Sequence, residues 1–361
     1  MSATASAAGP LAGSVEQRHR PRIAVVGATG TVGTVMLQCL AERGLDRDHE
    51  LVLFASERSA GRVIGGRTVQ ALEERADLRG IDIALFSAGA GTSRTWAPRF
   101  VDAGATVIDN SSAFRRDPDV PLVVAEVNPH ALARHRGLIA NPNCSTMQLM
   151  VALAPIHRAA GIDRLIVSTY QSVSGTGRRA LEELDAQARA ALASEPVPPP
   201  AVYPDQIAFN VIGAAGSFAD GDDHTDEERK MMFETTKILE DERIAVAVTC
   251  VRVPVRVGHS ESVNLETREH LPLDRARELL ASAPGLVLTD VPSPLGCEGR
   301  DEVFVGRLRR DQTHPNGLAM FVVADNLRKG AATNAVQLAE LLLASDQPRR
   351  RPAPAPAGAG G

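Results

Sequence analysis

Four groups of residues in this chain have types and spacings suited to chemistry. The first is Asn141-Pro142-Asn143-Cys144-Ser145-Thr146. Pro142 punctuates a turn, and an apolar helical pattern (Met147, Leu149, Met150, Leu153) starts just after Cys144, so the cysteine is expected at a loop-to-helix junction. A helix N-terminus offers partial positive charge and unpaired N–H groups, and both favour the nucleophilic thiolate. The second group is Gly27-Ala28-Thr29-Gly30-Thr31-Val32-Gly33, between the β-rich run Arg22 to Val26 and a helical pattern through Val35, Met36 and Leu40. This G-x-x-G-x-x-G spacing is a variant of the dinucleotide fingerprint, in which glycine allows a tight turn and close backbone approach to a pyrophosphate.

The third group closes the second strand: Ala55-Ser56-Glu57-Arg58-Ser59. An NAD site would place an acid there for the ribose 2′-hydroxyl. Ser56, Arg58 and Ser59 instead offer donors to a 2′-phosphate. The expected cofactor is therefore NADP, with Glu57 turned to solvent; a solvated loop arginine is the competing reading of Arg58. The fourth group is dispersed. His259 sits in Gly258-His259-Ser260, and Arg252 lies between Val251 and Val253 on a β-rich run. Glu227 and Lys230 stand three apart on a predicted helix and share a face. An imidazole titrates near neutrality, and a guanidinium among apolar neighbours needs a partner. Spacing alone leaves the ordinary alternatives open: a structural histidine, an arginine pointing out of a strand and a surface ion pair.

The elements that must position these groups follow from pattern. Strands are predicted at Arg22 to Val26, Glu50 to Ala55, Ile81 to Phe86, Thr106 to Ile108, Leu122 to Ala125 and Gly137 to Ala140, alternating with helical stretches. Such alternation argues for a parallel, doubly wound sheet. After Cys144 the pattern changes. Helices are expected to Ala160 and over Arg178 to Ala193, Asp226 to Asp241 and Asp274 to Ser282; β-rich runs cover Arg164 to Gln171, Ile244 to Val257, Glu302 to Leu308 and Ala319 to Ala324. The expected fold is α/β: an N-terminal Rossmann-type dinucleotide-binding domain (residues 21–145 with a C-terminal helix, 330–345) and an α+β catalytic and dimerisation domain (146–329) whose sheet is largely antiparallel.

Composition bounds the rest. The chain has 361 residues, 44% apolar and 23% charged, enough for two globular domains. A net charge of -5 gives no electrostatic reason for nucleic acid or an anionic membrane as partner. Cys39, Cys144, Cys250 and Cys297 show no CxxC pairing and no Cys/His metal spacing, so no metal is expected. Cys39 and Cys250, among apolar neighbours, read as small buried hydrophobes. A single working thiol fits a reducing cytoplasm, and no apolar run is long enough to span a bilayer. Residues 1–20 and 346–361, Ala/Gly/Ser-rich and Pro/Ala/Gly-rich, are expected to be disordered tails.

Taken in order, several motifs resemble the aspartate-semialdehyde dehydrogenase family. They are Gly27 through Gly33, Asp109-Asn110-Ser111-Ser112-Ala113-Phe114-Arg115, Asn141 through Thr146, Gln171-Ser172-Val173-Ser174-Gly175 and Glu227-Glu228-Arg229-Lys230. Val251 through Val255, Gly258-His259-Ser260 and Asp325 through Ala332 complete the set, which spans roughly Arg22 to Leu343. The resemblance implies NADPH-dependent reductive dephosphorylation of β-aspartyl phosphate to aspartate β-semialdehyde. That step stands at the branch toward lysine, methionine and threonine, and the family's members are homodimers or homotetramers. It implies Cys144 as the nucleophile that forms a thioester and His259 as acid and base. Arg252 would take the substrate α-carboxylate, Glu227 its amino group, and Lys230 and Arg115 the phosphate. Gln171 would orient the acyl carbonyl, with Asn143 as a helper. Thr29, Thr31 and Val32 join the glycines around the pyrophosphate, and Ser174, Gly175 and Asn326 meet the nicotinamide. Asn210-Val211-Ile212-Gly213 and Asp223-His224-Thr225 depart from the family pattern and predict a differently shaped loop.

Three rival readings have discriminating residues. N-acetyl-γ-glutamyl-phosphate reductase would usually show Pro-Gly-Cys-Tyr where this chain has Pro142-Asn143-Cys144-Ser145. A non-catalytic paralogue serving as a scaffold would be expected to lose Cys144 or His259. A thiol-free sugar or hydroxy-acid dehydrogenase leaves Cys144 and the anion-binding set without a purpose.

Overall fold

Strand–helix alternation builds the first sheet of the computed structural model, which describes residues 20–345. The two expected tails lie outside the described residues, Arg20 apart. β1 (Arg22–Val26) leads through the glycine turn into α1 (Thr31–Glu42), then the short α2 (Leu45–Asp48) and β2 (Glu50–Ala55). β3 (Val63–Ile64), β4 (Arg67–Ala71), β5 (Ile83–Phe86), α3 (Ala90–Asp102), β6 (Thr106–Asp109) and β7 (Leu138–Ala140) follow. The seven strands are ordered β3-β4-β2-β1-β5-β6-β7, parallel except for β3 with β4. β1 and β5 are buried on both faces, as a covered parallel sheet requires. Phe54 and Phe86 meet the Phe100 ring edge-on beneath α3.

The second sheet starts from α4 (Cys144–Ala160) and β8 (Ile162–Gln171). Then come α5 (Arg178–Leu192), α6 (Asp226–Leu239), β9 (Ala245–Arg252), β10 (His259–Thr267) and α7 (Leu273–Ser282). β11 (Leu286–Leu288), α8 (Pro294–Cys297), β12 (Val303–Arg310) and β13 (Gly317–Ala324) complete it. The order is β11-β12-β13-β10-β8-β9. Pairing is antiparallel across β12, β13, β10 and β8 and parallel at both edges. α4 is buried along nearly its whole length and joins one core with this sheet. α9 (Thr333–Ala344) returns to the first sheet, where Ala335, Val336 and Leu338 share a core with Met36, Cys39 and Leu40 of α1.

Three sequence expectations need correction. Leu122 to Ala125 is no strand; only Leu122 bridges to Ala140. The backbone groups a neighbouring strand would take are claimed by two side chains instead. Asn128 accepts from the Val124 N–H and donates to the Leu122 carbonyl, and Asn334 serves Ala125 and Val123. The run Ile244 to Val257 yields a strand only as far as Arg252, before Pro254, which has no N–H to continue the ladder. β10 is a central strand where none was expected, and β3, β4 and β11 were not expected either. Cys39 and Cys250 are fully buried, as expected.

Candidate active site

Cys144 occupies the first position of α4. Asn143 is its N-cap: the side-chain oxygen accepts from the Ser145 and Thr146 N–H groups at 2.9 and 3.2 Å. The same side chain donates through Nδ2 to Glu227 Oε1 at 2.7 Å. One residue therefore caps the helix and ties the cysteine turn to α6. Gly330 closes the other side, since a Cβ there would stand 2.9 Å from the Cys144 Cβ.

The helix start was expected to stabilise a thiolate. Burial instead pushes the Cys144 thiol up to about 12, reinforced by the Glu227 carboxylate and opposed by Arg115, Arg252 and the Ser145 N–H. Removing water costs the charged form more than one helical turn returns.

Around it lies a pocket of about 310 Å³ lined by Val32, Arg115, Asn143, Cys144, Gly175, Glu227, Lys230, Asn326 and Gly330 among others. Glu227 and Lys230 share a face of α6, as spacing predicted, with Nζ 3.2 Å from Oε2. Burial works against the Lys230 ammonium, but Glu227 and Asp226 outweigh it and raise its pKa. Gln171, at the end of β8, is buried with Nε2 3.5 Å from Glu227 Oε1. Arg252 ends β9, 7% exposed; Nη1 donates to the Ser172 carbonyl at 2.7 Å and Nε is buried without a partner. An orphaned guanidinium N–H is a ready donor to an anion. Arg256, by contrast, is exposed and pairs with Asp185.

Arg115 is buried and already engaged. Nε donates to the Asn141 carbonyl, Nη2 to the Asn110 carbonyl and Nη1 to Glu234 Oε1 at 3.0 Å. A guanidinium has five N–H donors, so both Nη1 and Nη2 keep one for the pocket. Glu234, which the sequence reading missed, also accepts the Asn143 N–H at 2.7 Å. It links the arginine to the cysteine turn.

His259 begins β10 and is fully buried. Burial and the Arg252 guanidinium hold its pKa well below the usual imidazole range, while the Gly258 carbonyl works weakly the other way. Ser172, Ser174 and Asn326 form a hydrogen-bonded group against its Nδ1 side. Gly175 covers the other side; a Cβ there would stand 3.3 Å from Nε2 and 3.6 Å from Arg252 Nη1.

The glycine turn fits a dinucleotide. Gly27 has φ +89°, and a Cβ on it would meet the Ser87 carbonyl at 2.9 Å. A Cβ on Gly33 would be 2.1 Å from the Gly27 oxygen. No side chain caps α1, so its first N–H groups are left for a pyrophosphate. Thr29 Oγ1 reaches Ser59 Oγ at 3.3 Å, which brings the end of β2 to the turn. Ser56, Glu57 and Arg58 are exposed beside it.

Comparison with known proteins agrees with this geometry. Residues 22–135 match the family model for the semialdehyde dehydrogenase NAD binding domain, and residues 153–329 match that for the semialdehyde dehydrogenase dimerisation domain. The aspartate-semialdehyde dehydrogenase of Aquifex aeolicus is 53% identical over 334 residues, covering 89% of this chain and 98% of the relative. That of Streptomyces akiyoshiensis is 51% identical, covering 90% and 98%. Among solved structures, aspartate semialdehyde dehydrogenase II of Vibrio cholerae superimposes with a TM-score of 0.86 at 47% identity, covering 90% and 98%.

Proposed function

Because the chain belongs to the aspartate-semialdehyde dehydrogenase family, we propose that it converts L-4-aspartyl phosphate to L-aspartate 4-semialdehyde through a Cys144 thioester, with NADPH as reductant. The observation that carries this is the convergence of Cys144, Arg115, Glu227 and Lys230 on one pocket. Membership of that family supports placing the step in lysine, methionine and threonine biosynthesis, and we assign the enzyme to the cytoplasm. No described helix is long and apolar enough to cross a membrane. The matching relatives are named for the aspartyl aldehyde, which does not favour the longer N-acetyl-γ-glutamyl substrate.

In this reading Lys230 and Arg115 hold the phosphate. Glu227 takes the amino group, and Arg252 binds the α-carboxylate through the donor it leaves unpaired. Gln171 orients the acyl carbonyl. Sulfur attack gives a thioester, a better hydride acceptor than a serine ester. Bound NADPH would supply the hydride, with its nicotinamide against Ser174, Gly175 and Asn326. We assign residues 21–145 and 330–345 to cofactor binding and 146–329 to catalysis and dimerisation. The outer face of the second sheet exposes Ile166 and Tyr170, the latter 6.1 Å from the Phe321 ring. These exposed apolar side chains, set among polar neighbours, together with the match of residues 153–329 to the semialdehyde dehydrogenase dimerisation domain, support a homodimer built on that sheet, alone or paired into a tetramer.

The direct test supplies aspartate semialdehyde, phosphate and NADP and follows NADPH formation; absence of phosphate-dependent turnover refutes the assignment. Gly33→Ala is expected to abolish saturable dinucleotide binding, because its Cβ would collide with backbone rather than with a flexible side chain. Calorimetric titration measures it, and unchanged affinity would disprove the cradle. Arg58→Ala should raise the KM for NADP roughly tenfold, one charge-assisted contact's worth, and leave NAD kinetics unchanged. Equal use of both cofactors by the wild type would remove the 2′-phosphate role.

A further inference from the structure

We propose that inorganic phosphate enters and leaves the active site through a second cavity behind Arg115 and Lys230, and that Arg116 captures it at the rim. The proposal rests on the function proposed above and gives one of its substrates a route.

Two cavities meet at the phosphate end of the site. The pocket around Cys144 and an outer cavity of about 570 Å³ share Ser112, Arg115 and Lys230 in their walls. The two cations thus stand between the nucleophile and a hollow that the cysteine does not line. Floor and rim of that hollow differ in exposure. Arg115 and Glu234 are buried, whereas Arg116, Ala219 and Arg229 are exposed. The route from solvent to the phosphate-holding cations does not cross Ser174, Gly175 or Asn326, which line the Cys144 pocket but not this cavity.

The chemistry demands such a route. Phosphate displaced by the Cys144 sulfur has to leave while the thioester waits for hydride, when the nicotinamide side is taken up by the cofactor. In the reverse direction phosphate has to reach the thioester past the same obstacle.

Charge suits the route to an anion. Four cations line the outer cavity against three carboxylates, and three of the cations are already matched. Arg115 pairs with Glu234, Lys230 with Asp226 and Arg229 with Asp222. Arg116 has no carboxylate partner among the described residues; its guanidinium lies over the Phe233 ring, 5.5 Å from the centroid. The turn that carries it is fixed. Lys237 donates to the carbonyls of Arg115, Asp117 and Val120 at 2.8, 2.8 and 3.0 Å, which uses all three ammonium N–H groups. An unmatched cation held at a rim raises the local concentration of anions and their rate of entry, and a planar guanidinium fork suits phosphate. Arg115 and Lys230, deeper in, receive the anion in turn.

A charge series at position 116, assayed with aspartate semialdehyde, phosphate and NADP, tests this. Arg116→Met should raise the KM for phosphate about threefold and Arg116→Glu about tenfold, with kcat and the KM for aspartate semialdehyde held within about twofold. Arg116→Lys keeps the charge and should recover most of the loss. The Arg116→Glu effect should shrink as sodium chloride rises from about 0.05 M to about 0.5 M, because a rim charge acts through screening solvent. Ala219→Trp narrows the cavity without changing its charge and should lower kcat/KM for phosphate. An Arg116→Glu enzyme whose phosphate KM stays within about twofold of the wild type overturns the proposal and leaves an ordinary solvated arginine. Arg116→Lys as impaired as Arg116→Met overturns it too, since packing on Phe233 rather than charge would then be at work. So does a folded Ala219→Trp with wild-type kcat/KM for phosphate. If the wild type shows no phosphate-dependent turnover, the functional assignment falls, and phosphorus NMR reads the route alone. The inorganic phosphate line should broaden with wild-type protein and less with Arg116→Glu; equal broadening overturns the proposal.

Discussion

Replacing Cys144 with alanine is expected to reduce phosphate-dependent turnover of aspartate semialdehyde by roughly 10⁴-fold or more, the scale on which loss of a nucleophile acts. Stability should hardly change. Position 144 starts α4, alanine is the best helix former, and the Asn143 cap uses its own side chain. The Cβ packed against Gly330 is retained. A thermal melt that matches the wild type, beside a dead assay, separates chemistry from folding. Cys144→Ser should be nearly as inactive, because an ester accepts hydride poorly and its alkoxide leaves poorly. Wild-type turnover by the alanine variant would sink the thioester and revive a thiol-free dehydrogenase.

Why the sequence revealed some of this site and hid the rest is a matter of range. Gly27 through Gly33 and the end of β2 were legible because strand, turn and helix are neighbours in the chain and each glycine answers a local backbone demand. β10 was hidden because its inward positions include His259 and Glu261, polar residues in a strand slot that pattern reading expects to be apolar. Glu261 is fully buried, and burial raises its pKa well above the ordinary carboxyl range against the opposing hydrogen bond of Gln148. The Cys144 thiol misled for the same reason. The helix start was visible in the sequence; the burial that outweighs it comes from tertiary packing. Asn143 carried a readable signal as a capping residue directly before an apolar helical run, a role distinct from the substrate contact expected of it. Glu234 carried none. In sequence it is one more acid on a charged helix, and its partner Arg115 lies 119 positions away.

Glu234→Ala is accordingly the second large effect to expect, on stability first. The carboxylate is 1% exposed and serves two groups at once, the Arg115 guanidinium at 3.0 Å and the Asn143 N–H at 2.7 Å. Its removal strands a buried cation and a buried N–H, and breaking such a pair from one side costs about 3–5 kcal/mol. Urea unfolding should show that loss as a lower midpoint at unchanged slope. A desolvated charge without its counter-ion is worse than no charge, so the double variant Arg115→Met/Glu234→Ala should be more stable than Glu234→Ala alone. Glu234→Gln keeps an acceptor for the Asn143 N–H and should fall between Glu234→Ala and the wild type. Activity should follow a different order. The double variant regains stability and still lacks the phosphate arginine, so its kcat/KM for phosphate stays low, whereas Glu234→Gln keeps both the cysteine turn and Arg115. If Glu234→Ala unfolds within about 1 kcal/mol of the wild type, the range of an ordinary surface change, Glu234 is not what joins the anion-binding arginine to the nucleophile. The pocket would then be organised by Glu227 and the Asn143 cap alone.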